Sequence, residues 1–270
     1  MTGFVKACLA YCHITIPSIA DGFRKLQLLI HCALVAITNQ CFPQTDTLLK
    51  AAISIIPDLP PVEEIEGRRV HSEEKVASNI RFLLSVLVLT PGHPEHGPFY
   101  IVKGLFNALP KFQWQSNSPC QAGLYCEIVA LMCTYAQKRF PYKIPNVESN
   151  DELYCGNSDY FADLTETLST DMDEVLKALA ALKDVPDLAA RVSQVKIILD
   201  LVNQICERME LSEETTNFVG SLLVLGMKNR DILPKHDRRY WSSTIEFVKI
   251  KLQASNNTNQ KLLQSVSNMA

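Results

Sequence analysis

Apolar side chains recur along most of this chain at intervals of three and four residues. That interval marks one face of an α-helix, and no run shows the strict apolar–polar alternation of a half-buried strand. The pattern predicts about ten helices. They cover residues 4–16, 21–41, 44–56, 73–89, 99–109, 120–139, 160–182, 188–206, 212–227 and 236–253.

Residues 80–109 are the stretch around which we expect the chain to be organised. Its first part carries apolar residues on most faces, so this helix should be buried on several sides. Pro91, Pro94 and Pro98 then stop the helix, because proline removes a backbone donor and clashes with the preceding turn. The stretch therefore predicts a helix, a stiff corner and a second helix. The segment before it, residues 57–72, is rich in proline and charge and predicts a loop.

Successive amphipathic helices joined by short, proline-containing turns are typical of helix-pair solenoids. We therefore predict an all-α fold, a HEAT-like α-solenoid of stacked antiparallel helix pairs, in a single helical-repeat domain over residues 1–255. The polar residues 256–270 predict a C-terminal tail. A compact orthogonal bundle is the alternative, because no repeat of fixed length is visible.

The first helix carries an apolar face close to the beginning of the sequence. Phe4, Val5, Cys8 and Leu9 lie in this stripe, and in a solenoid they would pack on a preceding helix. We expect an exposed apolar patch there and self-association of the isolated chain.

Composition bounds the class of protein. The chain has 270 residues, of which 47% are hydrophobic and 20% charged, and this balance excludes a disordered chain. The formal net charge is −3 and no strongly basic face is visible, so nucleic acid is not an expected ligand. The longest nearly apolar run, residues 26–37, falls short of the ~20 residues that a membrane span requires, so no transmembrane segment is expected.

The cysteines lie inside helical apolar patterns rather than at the spacings of a disulfide framework. This usage predicts buried thiols in a reducing, cytoplasmic compartment. The cysteines in these patterns are Cys8, Cys12, Cys32, Cys126, Cys133 and Cys206. Cys8 and Cys12 lie one helical turn apart beside His13, but no second pair follows at ligand spacing, so core packing is favoured over a metal site.

His93, Glu95 and His96 place two imidazoles and a carboxylate in one corner, the ingredients of a metal or acid–base site. The flanking prolines hold the corner extended, so these side chains need not converge, and a structural role is favoured. A cysteine-based hydrolase around Cys155, next to Gly156, is a second enzymatic alternative. The sequence contains no phosphate-binding loop, nucleophile elbow or dinucleotide fingerprint, and we expect no catalytic residue, cofactor or metal.

Five segments, in this order, carry a resemblance to a known family. They are 14–18 (ITIPS), 35–41 (VAITNQC), 50–57 (KAAISIIP), 93–97 (HPEHG) and 149–154 (SNDELY). Together they resemble the C-terminal part of the large subunit of retriever, a distant relative of the large α-solenoid subunit of retromer. Beyond residue 160 the similarity is one of helical character.

The resemblance implies a scaffold without enzymatic activity that serves recycling of membrane proteins from endosomes to the plasma membrane. It implies that the C-terminal solenoid holds the small phosphoesterase-fold subunit, and that other subunits of the larger endosomal recycling assembly are partners. The expected location is cytoplasmic, peripheral on endosomes through those partners. The resemblance covers the C-terminal part of the large subunit, whereas in the family the N-terminal part engages the arrestin-like subunit, so binding of that subunit is not among the expectations for these residues.

Two corners are the predicted partner interface. One contains His93, Glu95 and His96, and the other contains Leu153 and Tyr154. Aromatic and aliphatic anchors dominate interface energies, so Leu153 and Tyr154 are the residues to test. The alternative interpretation of both corners is structural.

Overall fold

The computed structural model describes residues 2–92, 96–141, 143–254 and 266. Within those residues the chain forms eleven α-helices. They are α1 (Thr2–Thr15), α2 (Gly22–Thr38), α3 (Phe42–Ile55), α4 (Glu73–Leu87), α5 (Tyr100–Ala108), α6 (Pro119–Tyr135), α7 (Asn150–Leu153), α8 (Ser158–Ala181), α9 (Leu188–Arg208), α10 (Glu213–Met227) and α11 (Lys235–Ala254). The prediction of an all-α, solenoid-like fold is confirmed.

Several helices begin where a short polar side chain caps the first turn. The Asp21 carboxylate accepts hydrogen bonds from the backbone N–H groups of Phe23 (2.9 Å) and Arg24 (3.2 Å) at the start of α2. The Ser212 hydroxyl likewise accepts from the Thr215 N–H, at 3.2 Å, at the start of α10. First-turn amides have no partner within the helix, so these caps fix the starting residue.

The segment 57–72, predicted to be a loop, contains a β-hairpin. Val62–Ile65 (β1) pairs antiparallel with Arg68–His71 (β2). Glu66 and Gly67 form the connecting turn with φ values of 51° and 76°, and positive φ at both positions is what a type I′ turn requires. The loop prediction was wrong for these residues. Both strands are short and lie at the surface, so neither has the buried apolar face that produces an alternating sequence pattern.

The described residues form two compact units. Unit 1 comprises residues 1–115 and 138–162, and unit 2 comprises residues 116–137 and 163–270. The single domain over residues 1–255 stays a prediction, and the predicted tail lies outside the described residues apart from Val266.

Helix α4 contributes one face to the core of unit 1. Its buried side chains include Val76, Ile80 and Leu83, and the helix packs against α2. The opposite face, which includes Arg81 and Ser85, is exposed. Burial of α4 on several sides was therefore predicted correctly only in part. The two predicted helices are present as α4 and α5, and the corner predicted between them includes residues 93–95, which lie outside the described residues.

Helix α6 in unit 2 is the helix that is buried around its whole circumference. From Ala122 to Tyr135 every residue except Glu127 is buried. It packs against α9, where the Arg208 guanidinium donates to the Ala130 carbonyl at 3.0 Å. A helix that is apolar on all faces belongs in a core.

The cysteines divide by burial. Cys126, Cys133 and Cys206 are buried, Cys12 and Cys32 are half-buried, and Cys8 is exposed. Burial raises the pKa of Cys133 and of Cys206 to about 12, which keeps both thiols protonated. The prediction of buried thiols is confirmed for the first three and wrong for Cys8.

Asn229 joins several parts of unit 2 through hydrogen bonds. Its side-chain oxygen accepts from the Arg191 guanidinium at 2.6 and 2.9 Å. Its amide nitrogen donates to the Lys183 carbonyl at 3.0 Å and to Gln194 Oε1 at 2.9 Å. Asn229 is only 1% exposed, so loss of this side chain would leave buried polar groups unpaired.

We expect Asn229→Ala to lower the free energy of unfolding by about 2–4 kcal/mol, because several polar groups lose a partner in a low-dielectric interior. Urea denaturation followed by far-UV circular dichroism measures the change. Ser221→Ala, which removes an exposed hydroxyl from α10, is the control. Equal stability of the two variants would contradict the role given to Asn229.

The outer face of α1 is apolar and exposed. Phe4, Tyr11 and Ile14 are 76%, 69% and 75% exposed, and the exposed Cys8 lies between them on the same face. The predicted apolar patch is therefore confirmed for Phe4 and Cys8, and Val5 is half-buried. It is wrong for Leu9, which is buried.

We expect this face to cause concentration-dependent self-association, because burial of exposed apolar area releases about 25 cal/mol per Å². The triple variant Phe4→Ser, Tyr11→Ser, Ile14→Ser should stay monomeric at concentrations where the parent chain associates, as measured by sedimentation velocity. A matched control, Leu188→Ser with Ile250→Ser, removes exposed apolar side chains from unit 2. A parent chain that is monomeric at high concentration would contradict the prediction.

Candidate partner-binding corner

The described ends of the loop after α4 lie against the segment that carries the second predicted corner, in unit 1. The Gly92 N–H, in the loop between α4 and α5, donates to the side-chain oxygen of Asn150 at 2.8 Å. A Cβ atom added to Gly92 would lie 2.6 Å from the Tyr154 hydroxyl and 2.8 Å from the Pro98 Cα. Only glycine permits this approach, so the loop after α4 and the segment containing α7 form one corner.

The short helix α7 is fixed by its own polar residues. The Glu152 carboxylate reaches back to accept the Ser149 N–H at 3.2 Å, as in a capping box. Asp151 accepts the Phe140 N–H at 3.0 Å, and Lys143 forms ion pairs with both carboxylates. These contacts anchor the segment before α7 to the helix itself.

The Asp151 carboxylate is held in its charged form. Burial by itself would raise the pKa, but the Ser149 hydroxyl, the Phe140 N–H and the Lys143 ammonium all favour the charged form, and the pKa lies below its ordinary value. A charged carboxylate that accepts hydrogen bonds from the backbone and from a hydroxyl is a structural anchor. Asp151 therefore helps to position the corner.

Tyr154 has a structural role in the corner. Its ring stacks on the Tyr160 ring with centroids 4.6 Å apart and planes 9° from parallel. The Tyr160 ring in turn contacts the buried Phe99 ring at 5.0 Å. Burial raises the pKa of Tyr154 and of Tyr160. Leu153, by contrast, is 41% exposed and is open to a partner.

His96 belongs to an exposed aromatic cluster at the start of α5. Its ring lies 4.9 Å from the Tyr100 ring, centroid to centroid. The Lys50 ammonium lies 4.7 Å from the centre of the same Tyr100 ring and forms an ion pair with Asp46 at 2.8 Å. The sequence analysis missed Tyr100 and Lys50, because a tyrosine beginning a helix and a lysine on another helix carry no local signal of their contact.

The enzymatic alternatives find no support in the described part of the chain. His93 and Glu95, two of the three residues of the predicted histidine site, lie outside the described residues. Among the residues that are described, no group of three or more His, Cys, Asp or Glu side chains is placed to hold a metal ion. Cys155 is exposed in the turn after α7.

None of the helices described in the structure is both long enough and apolar enough to cross a bilayer.

These features define an all-α, solenoid-like protein whose candidate site is a surface built from loops and helix ends. The whole chain, residues 1–270, matches the family model described as the VPS35L C-terminal domain. The chain belongs to this family, which confirms the resemblance found in the sequence.

Curated relatives agree with the family match. A Dictyostelium discoideum protein described as "VPS35 endosomal protein sorting factor-like" is 38% identical over 251 residues, which are 92% of this chain and 25% of that protein. The human protein described as "VPS35 endosomal protein-sorting factor-like" is 38% identical over 179 residues, 66% of this chain and 19% of its own length. A Drosophila melanogaster relative is 29% identical over 215 residues, 79% of this chain and 22% of that protein. The chain thus spans a quarter or less of the length of these relatives.

We expect Asn150→Ala to reduce the free energy of unfolding by about 1–3 kcal/mol, because the Gly92 N–H would lose its buried acceptor. Hydrogen exchange should show faster exchange of the Gly92 amide, and urea denaturation measures the loss of stability. Asn107→Ala, at an exposed position of α5, is the matched control and should be neutral or slightly stabilising, since alanine is the better helix former. Unchanged protection of the Gly92 amide in Asn150→Ala would contradict the role of this contact.

Proposed function

We propose that this chain is a non-enzymatic scaffold of an endosomal cargo-recycling complex of the retriever type. It holds the small phosphoesterase-fold subunit and supports retrieval of membrane proteins from endosomes to the plasma membrane. The observation that carries the proposal is the match of all 270 residues to the VPS35L C-terminal domain, whose relatives are described as endosomal protein sorting factors.

Membership of this family also supports a location and a set of partners. The chain works on the cytoplasmic side of endosomes, where it is peripheral and attached through its partners. Besides the small subunit, these partners include other subunits of the larger recycling assembly.

The surface of unit 1 supports a role in binding protein. A specific protein–protein interface buries roughly 800 Å² on each partner, so it needs a broad surface rather than a pocket. The candidate corner offers the exposed Leu153, and the exposed His96 and Tyr100 lie at the start of α5. Tyrosine is enriched among the residues that dominate binding energies. The buried Asn150 accepts a hydrogen bond from Gly92 and so holds the surrounding surface in place.

The binding test uses Leu153→Glu. Calorimetric titration with the small phosphoesterase-fold subunit should show binding of the parent chain and about tenfold or greater loss of affinity for the variant, because a charge would be buried at the interface. Tyr154 is unsuitable for truncation, since its ring supports Tyr160. Leu188→Glu, at an exposed leucine of unit 2, is the matched control and should bind like the parent.

The outcomes separate two parts of the proposal. A folded parent chain that does not bind the small subunit would show that the function is wrong for this chain. Equal binding by the parent and by a folded Leu153→Glu variant would show that the function stands and the contact lies elsewhere.

A further inference from the structure

Two half-buried thiols meet where α1 packs against α2. Cys12 belongs to α1 and Cys32 to α2, and the two helices are in contact. A side-chain hydrogen bond joins the two residues, in which the protonated Cys32 thiol donates to the Cys12 sulfur. Residues 13–31 separate the pair in the sequence, so the packing of the two helices is what brings the sulfur atoms together.

Partial exposure distinguishes this pair from a second pair of neighbouring thiols. Cys133 and Cys206 lie close enough for Cys206 to raise the pKa of Cys133, but both side chains are buried. An oxidant in solution does not reach a buried thiol, and such cysteines are inert. Cys12 and Cys32 each keep part of their surface in contact with solvent, so an oxidant can reach them.

The two thiols differ in the order in which they react. Burial, the neighbouring Cys12 and the hydrogen bond to it raise the pKa of Cys32 to about 11, which keeps Cys32 protonated at neutral pH. The thiolate, not the thiol, is the nucleophile, so attack on an oxidant falls to Cys12. Cys32 then lies in position as the resolving thiol, the second cysteine that converts an oxidised sulfur into a disulfide.

We propose that Cys12 and Cys32 form a reversible disulfide between α1 and α2 when the chain encounters hydrogen peroxide. The Cys12 thiolate attacks the peroxide: an S–O bond forms, the O–O bond breaks, and the hydroxide that leaves takes up a proton to become water. Cys12 is then a sulfenic acid. The Cys32 sulfur attacks the Cys12 sulfur: the S–S bond forms, the S–O bond breaks, and hydroxide leaves as water with the Cys32 proton. Two thiols and one peroxide thus give one disulfide and two waters, and two electrons pass from sulfur to the peroxide.

The disulfide would fasten α1 to the core of unit 1. Helix α2 contributes Leu26, Leu29 and Ile30 to that core, whereas α1 carries the exposed apolar face described above. Closing the loop of residues 13–31 reduces the conformational freedom of the unfolded chain, so oxidation should stabilise the helix pair. In a reducing compartment such a bond is transient, because small thiols reverse it by thiol–disulfide exchange.

The test treats the purified, folded chain with hydrogen peroxide. The remaining thiols are then blocked with N-ethylmaleimide under denaturing conditions, and the products are mapped by mass spectrometry without reduction. Trypsin leaves Cys12 in the peptide 7–24 and Cys32 in the peptide 26–50, and fragment ions locate the bond within each peptide. We expect these two peptides to be linked through Cys12 and Cys32, and the link to disappear after treatment with dithiothreitol. Cys133 and Cys206 should remain unlinked.

Serine variants provide matched controls. Cys12→Ser and Cys32→Ser should each lose the link between the two peptides, whereas Cys8→Ser, which removes an exposed thiol from the same helix, should keep it. The thermal midpoint of the oxidised parent should rise by roughly 5 °C over that of the reduced parent. The same treatment should leave the thermal midpoint of Cys12→Ser unchanged.

Three results would overturn the inference. One is oxidation of Cys12 to the sulfinic or sulfonic acid while Cys32 is recovered as the blocked thiol. Another is a link between two copies of the chain through Cys8, with Cys12 and Cys32 still reduced. The third is a bond between Cys133 and Cys206 that forms as fast as the proposed one, because exposure would then not select the reacting pair. The measurement needs no partner protein, so its outcome is independent of the proposed function.

Discussion

The hydrogen bond from the Gly92 amide to the buried side chain of Asn150 connects positions 58 residues apart in the sequence. It holds the loop after α4 against α7, and the stacked rings of Tyr154 and Tyr160 complete the contact. A buried acceptor that has lost its donor lowers the free energy of unfolding by more than a surface contact adds to it. The arrangement of the candidate corner therefore depends on this one polar contact.

Buried and exposed residues of unit 1 have different roles. Asn150, Asp151 and Tyr154 hold the backbone in place through hydrogen bonds and ring stacking, and their side chains are occupied by those contacts. Leu153 and Tyr100 lie on the surface that this framework supports. A scaffold that recognises protein partners needs both parts, because exposed anchors bind tightly only when their positions are fixed beforehand.

Unit 2 has its own framework, built around α6 and a buried polar network. Helix α6 is buried around its circumference, and Asn229 satisfies the polar groups of Arg191, Gln194 and Lys183. Such a network stabilises the unit only when every member has a partner. This stability serves the proposed scaffold, since a protein that works through its surface must keep that surface in one form.

By itself, the sequence determined the fold class and the positions of most helices. Helix periodicity and capping residues are local properties, so α9 was predicted at 188–206 and is observed at Leu188–Arg208. It also determined the family through short segments. The tertiary structure decided that Gly92 contacts Asn150, that Lys50 lies over Tyr100, and that α6 rather than α4 has buried residues around its whole circumference. Contacts between distant residues leave no periodic pattern in the chain, because they depend on how complete helices pack.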